Sequence, residues 1–193
     1  DVDSVIQEQK GFGACQDVTL EYPVAENEGE EDNTYLSYNM VVGNAADSQM
    51  AMAFEVLDYA LLSAPGAPLK QALLDVKAGK DVYGSYDDGI LQPYFTVIAK
   101  GSNPDRKEEF VSVIRQVLGD IVKNGIDKKA VEAGINYFEF RYREADFSSY
   151  PKGLMYSLDI LGDWLYEKGN PFAQVQQLTV FENLKKAVNE GYF

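Results

Sequence analysis

Three short segments with a strand-like pattern constrain the fold of this chain most strongly. Residues 34–42 (TYLSYNMVV) alternate between two faces, as expected of a half-buried strand. Residues 81–86 and 92–100 are rich in aromatic and β-branched residues and are separated by the turn sequence DDG, which predicts a hairpin. The strands lie too close in sequence for repeated βαβ crossovers, so the sheet is predicted to be mostly antiparallel.

The remaining segments have a helical period. Apolar stripes predict helices at 47–63, 68–78, 104–124, 127–145 and 153–168, and one or two more within 171–193. Asp47 and Asn103 suit N-cap positions, and Gly79 suits the end of the second helix. Together these patterns predict an α+β fold, with helices layered on one face of the sheet and a helical C-terminal part.

The first 33 residues are interpreted as a lead-in segment and an acidic loop, and residues 34–193 as one α+β domain. Residues 17–24 (DVTLEYPV) have the composition of a short strand. Residues 26–32 (ENEGEED) contain five acids and no base, which is typical of a solvated loop. A calcium loop would need alternating ligands and a distal glutamate, and this order is absent.

The complete lack of histidine limits the chemistry of the chain. It excludes a Ser-His-Asp triad, a Cys-His dyad and a zinc site with histidine ligands. Carboxylates could still form a calcium site, but the sequence identifies none, so no metal site is predicted here. An enzyme using carboxylates alone would need two acids in one cleft with separated pKa values, and the sequence does not identify such a pair. We therefore expect no catalytic residue in this chain.

Charge and cysteine content narrow the partners and the compartment. The formal net charge of −14 argues against nucleic acid as a partner. No apolar run approaches the roughly 20 residues that a membrane span needs. The single cysteine, Cys15, and the lack of a visible export signal predict an intracellular location.

A loop of small residues joins the first two predicted helices within LLSAPGAPLKQALLD (61–75). Glycine-containing loops of this kind serve either as a stiff connection between helices or as an element that faces a substrate. Both interpretations remain open for this loop, which consists of Ala64, Pro65, Gly66, Ala67 and Pro68.

The order and spacing of several segments resemble one known family. The segments are 61–75, GSYDDGILQPYFTVIAKG (84–101), DFSSYPKGLM (146–155), GDWLYEKGNPF (162–172) and the terminal NEGYF (189–193). Over roughly residues 34–193 the chain resembles the second, non-catalytic domain of the presequence-protease branch (subfamily C) of the pitrilysin/insulinase (M16) zinc metallopeptidases. The resemblance implies the α/β roll of these metallopeptidases.

Several functional expectations follow from the resemblance. In this family two halves of two domains each enclose a chamber that degrades unfolded peptides, and the zinc is held by an H-x-x-E-H motif in the first domain. The last domain supplies an Arg and a Tyr, whose positions correspond here to Leu74 and Lys80, and neither residue can replace them. The resemblance thus implies a non-catalytic part of the chamber wall, with the other domains of the protease and unfolded peptides as partners.

The resemblance also suggests where a peptide binds and what else the chain could be. In some M16 enzymes a strand of the second domain captures the substrate by β-addition. The comparable residues are Val82, Tyr83, Gly84, Ser85 and Tyr86, although an ordinary strand with a bulge at Gly84 is the alternative. The implied location is a bacterial cytoplasm or an organelle matrix. The alternative function is an inactive M16-like scaffold subunit of a larger complex.

Overall fold

A small antiparallel sheet and the helices packed on it make up the framework. The computed structural model describes residues 5–27, 29–145, 147–166, 170–173 and 175–193. The strands are β1 (Thr34–Val41), β2 (Asp81–Asp87) and β3 (Tyr94–Ser102). The helices are α1 (Ser48–Asp58, continued by a π-helical turn at Tyr59–Ser63), α2 (Pro68–Asp75), α3 (Lys107–Asn124, preceded by a 3₁₀ turn at Pro104–Arg106), α4 (Lys128–Glu144), α5 (Lys152–Tyr166) and α6 (Leu178–Glu190).

The strand order is β1-β3-β2, and both neighbouring pairs are antiparallel. The hairpin β2–β3 and the pairing of β1 with β3 confirm the predicted antiparallel sheet. Alternate rows across the three strands face the helices, and one of these rows is Tyr38, Val97 and Gly84. The strand order places β3 in the centre, and β1 and β2 form the two edges of the sheet in the part of the chain that is described.

Helix α1 lies between two apolar clusters. One cluster packs α1 on the sheet, and the other packs further helices on α1. The first cluster joins the sheet to α1, α2 and α3 through residues such as Val82, Leu73 and Phe110. The second joins α1 to α4 and α6 through Val56, Ile135, Phe181 and others. The predicted α+β class with helices layered on one face is confirmed.

Two details of the predicted secondary structure are wrong. Helix α2 ends at Asp75 rather than near Ala78, because Lys77 takes a positive φ of 54° and closes the helix in place of Gly79. Gly79 instead allows a close approach of strands, since a Cβ there would lie 2.7 Å from the Lys100 carbonyl oxygen. Residues 17–24 form no strand: their side chains are exposed and they join no ladder of the described sheet, although the Tyr22 ring packs against Tyr35 of β1.

The N-cap predictions have different outcomes. Asp47 caps α1 by accepting a hydrogen bond of 2.9 Å from the Met50 N–H. Asn103 precedes the 3₁₀ turn, as predicted, but its side chain bonds to Asp32 in the acidic loop. The predicted helix end at Lys168 and break at Gly169 lie outside the described residues, as do Asp146 and Glu28 of the quoted segments.

Candidate functional site

Strand β2 contains the five residues predicted to bind peptide, and it forms an edge of the described sheet. It pairs with β3 in continuous register from Asp81 to Asp87. Successive backbone groups point to opposite sides of a strand, so half of those in β2 point away from β3. Such an edge has the geometry that accepts an additional strand from a peptide.

The side chains of β2 alternate between a buried and an exposed face. Val82 and Tyr86 are buried under the helices, whereas Tyr83 and Ser85 lie on the opposite, exposed face. Tyr83 is 37% exposed, and its neighbour across the pair is Ile98 of β3. If a strand were added at this edge, its side chains on the exposed face would lie beside Tyr83 and Ser85.

Gly84 does not form the β-bulge that was the alternative interpretation of this strand. The register of β2 with β3 is continuous through Gly84, so the strand has no bulge there. A Cβ at Gly84 would lie 2.3 Å from Asp58 Oδ1 and 2.3 Å from Leu62 Cδ1. The space that glycine leaves is therefore taken by the protein's own helix α1 and its π-helical continuation.

The loop at residues 64–68 forms a tight turn that leads into α2. The Ala67 N–H donates to the Ala64 carbonyl at 3.0 Å, with Pro65 second and Gly66 third at a φ of +73°, as in a type II turn. Ala67 is buried, and Pro68 begins α2. The turn accounts for the composition of this loop as a stiff connection, and direct contact with a peptide remains a prediction.

Two carboxylates lie beneath β2 that the sequence patterns did not identify. Burial raises the pKa of Glu55 to about 7, the nearby charges of Asp88 and Asp58 act in the same direction, and Arg141 opposes them. Burial also raises the pKa of Asp58. Glu55 and Asp58 are one turn apart on α1, and the only signal in the sequence was two acids in a helix with apolar residues on both sides.

Tyr86 adds a phenol hydroxyl to the polar side chains near Glu55 and Asp58. Its hydroxyl and Asp58 Oδ1 have no hydrogen-bond partner within the described residues. Burial raises the pKa of Tyr86, and the charges of Asp88 and Glu55 raise it further. The pKa values of both acids shift upward, whereas an acid–base catalytic pair needs pKa values that are pushed apart.

A cavity of about 520 Å³ lies beside Glu55. Helices α1, α4, α5 and α6 border it, and its lining includes Glu55, Asp88, Phe138, Arg141, Tyr156 and Phe181. Within the described residues, no three His, Cys, Asp or Glu side chains come close enough to hold a metal ion. The side chains that the structure describes therefore do not fit a zinc site.

Leu74 and Lys80 occupy structural positions. Leu74 packs against the first apolar cluster. Lys80 pairs with Asp32 at 3.3 Å, and its N–H donates to the Lys100 carbonyl at 2.8 Å. Leu74 carries no hydrogen-bonding group, and the correspondence of these two positions to the Arg and Tyr of a last domain stays a prediction. No helix in the described ranges is long and apolar enough to cross a membrane.

Two known proteins are similar to nearly the whole of this chain. The chain is 41% identical over its full length to the protein HypA of Clostridium perfringens, of which it spans 20%. It is 29% identical over 97% of its length to presequence protease 1, chloroplastic/mitochondrial, of Arabidopsis thaliana, of which it spans 17%. The chain thus spans a fifth or less of the length of these relatives.

Solved structures share the fold at low sequence identity. The inactive peptidase domain of a proposed zinc protease from Bordetella parapertussis superposes with a TM-score of 0.59 at 13% identity, over 81% of this chain and 78% of that chain. An M16-like peptidase structure from Alicyclobacillus acidocaldarius gives a TM-score of 0.55 at 18% identity, over 80% of this chain and 36% of that chain. The family model described as the peptidase M16 inactive domain matches residues 6–138, and the chain therefore belongs to the family of M16 peptidase inactive domains.

Proposed function

We propose that this chain is a non-catalytic domain of a zinc endopeptidase of the presequence-protease type (subfamily C of M16), in which it forms part of the wall of the peptide-degradation chamber. The carrying observation is an M16 inactive-domain match in a chain that contains no histidine. The similarity to a presequence protease supports the branch. Zinc would be held elsewhere in the parent protein, and this domain would contribute shape and contacts.

The proposed contribution of this domain to peptide binding rests on the edge of β2. A peptide that adds to this edge would be held by main-chain hydrogen bonds, with Tyr83 and Ser85 contacting alternate side chains on the exposed face. The helix-facing side of β2 is already filled at Gly84 by Asp58 and Leu62. The proposed partners are accordingly unfolded peptides and the other domains of the same protease, in an intracellular compartment.

A photo-crosslinking experiment tests the peptide contact in the full-length protein. Tyr83 is replaced by p-benzoylphenylalanine, and the protein is irradiated with a labelled unfolded peptide in the presence and absence of excess unlabelled peptide. We expect labelled adducts that the competitor removes. Tyr150 is the matched control, because it is exposed and far in sequence from the sheet. Equal labelling at both positions would contradict the contact.

The protease assignment has its own test. The full-length protein should cleave unfolded peptides, lose this activity with a chelator and regain it with Zn²⁺. It should also contain H-x-x-E-H outside residues 1–193. A full-length sequence without that motif would favour the alternative function, an inactive scaffold subunit of a larger complex.

A further inference from the structure

Helix α5 turns its most apolar face to solvent. Four leucines spaced by four, three and four residues lie on one side of this helix, and each is at least half exposed: Leu154, Leu158, Leu161 and Leu165. Trp164 beside them is 65% exposed. We call these four leucines the leucine stripe. Met155, Tyr156 and Asp159 on other sides of the helix are less exposed than the stripe.

This orientation is the reverse of that in an ordinary amphipathic surface helix. Such a helix buries its apolar stripe and exposes its polar residues. In α5, Tyr156, Asp159 and Gly162 border the cavity together with Leu158, which lies at the edge of the stripe, whereas Leu154, Leu161 and Leu165 are not part of its lining. Contiguous exposed apolar residues of this kind usually mark a surface that another element covers.

The spacing of the stripe indicates what would cover it. Intervals of four, three and four residues present a continuous seam to a second helix, as in knobs-into-holes packing. The 15 residues of α5 give a helix about 22 Å long, so its contact face measures roughly 22 by 10 Å. Each side of a stable interface between separate proteins usually buries about 800 Å². The stripe alone is therefore too small to hold an untethered partner.

A tethered partner does not face this limit. A segment of the same polypeptide acts at an effective concentration in the millimolar range, which allows a small apolar seam to stay closed. A second copy of this chain would bring another net charge of −14 to the contact, and the two would repel. The HypA relative aligns with the whole chain, including α5, and is about five times as long.

We propose that the leucine stripe of α5 is the docking surface for an amphipathic helix that belongs to the same polypeptide and lies outside residues 1–193. This helix presents leucine-type side chains at the same heptad-like spacing and carries neutral or basic flanking residues. The inference rests on the part of the proposed function that makes this chain one domain of a longer protein. It does not depend on whether that protein cleaves peptides.

Crosslinking and amide exchange in the full-length protein test the proposal. With p-benzoylphenylalanine in place of Leu161, irradiation should join α5 to a peptide from outside residues 1–193 of the same molecule, without a change in oligomer size. Amide exchange over residues 152–166 should be slow. The double variant Leu158→Glu, Leu165→Glu should speed this exchange and lower the crosslink yield, each at least tenfold. Ser157→Glu places the same charge beside the stripe and should change neither.

Three results would overturn the docking proposal. They are a crosslinked dimer, a crosslink within residues 1–193, and fast exchange over 152–166 in the unaltered protein without any crosslink. The unaltered protein supplies each of these readouts, so the proposal remains testable even where the double variant does not fold. A crosslink from α5 to a segment outside residues 1–193 of the same molecule, in a protein without zinc-dependent peptidase activity, would sustain this inference and contradict the proposed function. Active protein with an uncovered stripe would do the reverse.

Discussion

Asp58 lies against Gly84 so closely that a side chain at residue 84 would occupy its place. The position of a Cβ atom on Gly84 is 2.3 Å from Asp58 Oδ1 and 3.1 Å from the Thr96 carbonyl oxygen. The other carboxylate oxygen of Asp58 accepts a hydrogen bond of 3.2 Å from the Ser63 hydroxyl. Helix α1 and strand β2 are thus packed together at a point where a half-buried acid meets a glycine.

The first prediction concerns the substitution Gly84→Ala. Its methyl group would collide with Asp58 Oδ1 and Leu62 Cδ1, and the Leu62 side chain is fully buried in the first apolar cluster, so it cannot move aside without displacing its neighbours. We expect the free energy of unfolding to fall by about 1–3 kcal/mol, the range for overpacking a core. Urea unfolding measures the change.

Ser85→Ala is the matched control for this prediction. Ser85 follows Gly84 in the same strand but points to the exposed face, where substitutions usually change stability by less than about 0.5 kcal/mol. A Gly84→Ala protein as stable as Ser85→Ala would show that α1 and β2 can move apart without cost.

The second prediction is a pH dependence of stability caused by Glu55. Burial raises the pKa of Glu55 to about 7 in the folded protein, whereas an unfolded glutamate titrates near 4.3. Between these values the folded state binds more protons than the unfolded state, so stability falls as the pH rises from about 5 to 7 and stays low above it. The expected contribution is roughly 2–3 kcal/mol.

Urea unfolding from pH 5 to pH 8 measures this effect. Glu55→Gln should be more stable than the unaltered protein at pH 8 and should show a flatter dependence on pH. Asp58, whose pKa burial also raises, leaves a remaining slope of the same sign. Glu132→Gln, at an exposed position on α4, is the control and should retain the full slope. A slope that is unchanged in Glu55→Gln would contradict the prediction.

These two examples show what the sequence could predict and what it could not. The period of residues 34–42 and of the hairpin depends on local alternation, which the sequence displays directly. The burial of Glu55 depends instead on the layer of α4 and α6, whose distance in sequence hides their contact with α1. In the same way, the pattern at residues 17–24 resembles a strand, but a strand also needs main-chain hydrogen bonds to a neighbour, and this segment meets β1 only through the ring contact of Tyr22 with Tyr35.

Gly84 and the leucine stripe illustrate the same limit at the candidate site and on α5. The sequence identified Gly84 as unusual for a strand, but only the packing shows that the empty space is filled by α1. The leucine spacing of α5 predicted a helix, and this was confirmed, yet period alone cannot say whether its apolar side faces the rest of the protein. The filled space at Gly84 and the exposure of the leucine stripe both depend on how segments far apart in sequence pack together.

The third prediction contrasts two glycines in different backbone conformations. Gly66 has a φ of +73° in the turn before α2, so Gly66→Ala should lower the free energy of unfolding by about 1 kcal/mol. Gly119 lies within α3 with open space around it, so Gly119→Ala should raise it by about 0.5–1 kcal/mol. Thermal unfolding of both variants should show melting temperatures that shift in opposite directions. A Gly66→Ala protein that is no less stable than the unaltered one would show that the turn is not held in its type II form, and a less stable Gly119→Ala protein would contradict the prediction for α3.

The fourth prediction concerns Asn103, which holds the end of the acidic loop against the sheet. The Asp32 N–H donates to Asn103 Oδ1 at 2.9 Å, and Asn103 Nδ2 donates to Asp32 Oδ1 at 2.8 Å. The hydrogen bond from the Asn103 side chain to the Asp32 carboxylate lowers the pKa of Asp32, and the contact with Lys80 lowers it further. Asn103→Ala removes both bonds at once.

The expected result is faster local opening of the acidic loop. Two net hydrogen bonds of about 1 kcal/mol each correspond to roughly a 5- to 30-fold increase in the population of the open loop. Cleavage by a glutamate-specific protease after Glu30 and Glu31 measures that population when the protease is dilute. Asp105→Ala is the control, because Asp105 lies in the adjacent 3₁₀ turn and is exposed. Equal cleavage rates in the two variants would show that Lys80, through its ion pair with Asp32, suffices to hold the loop.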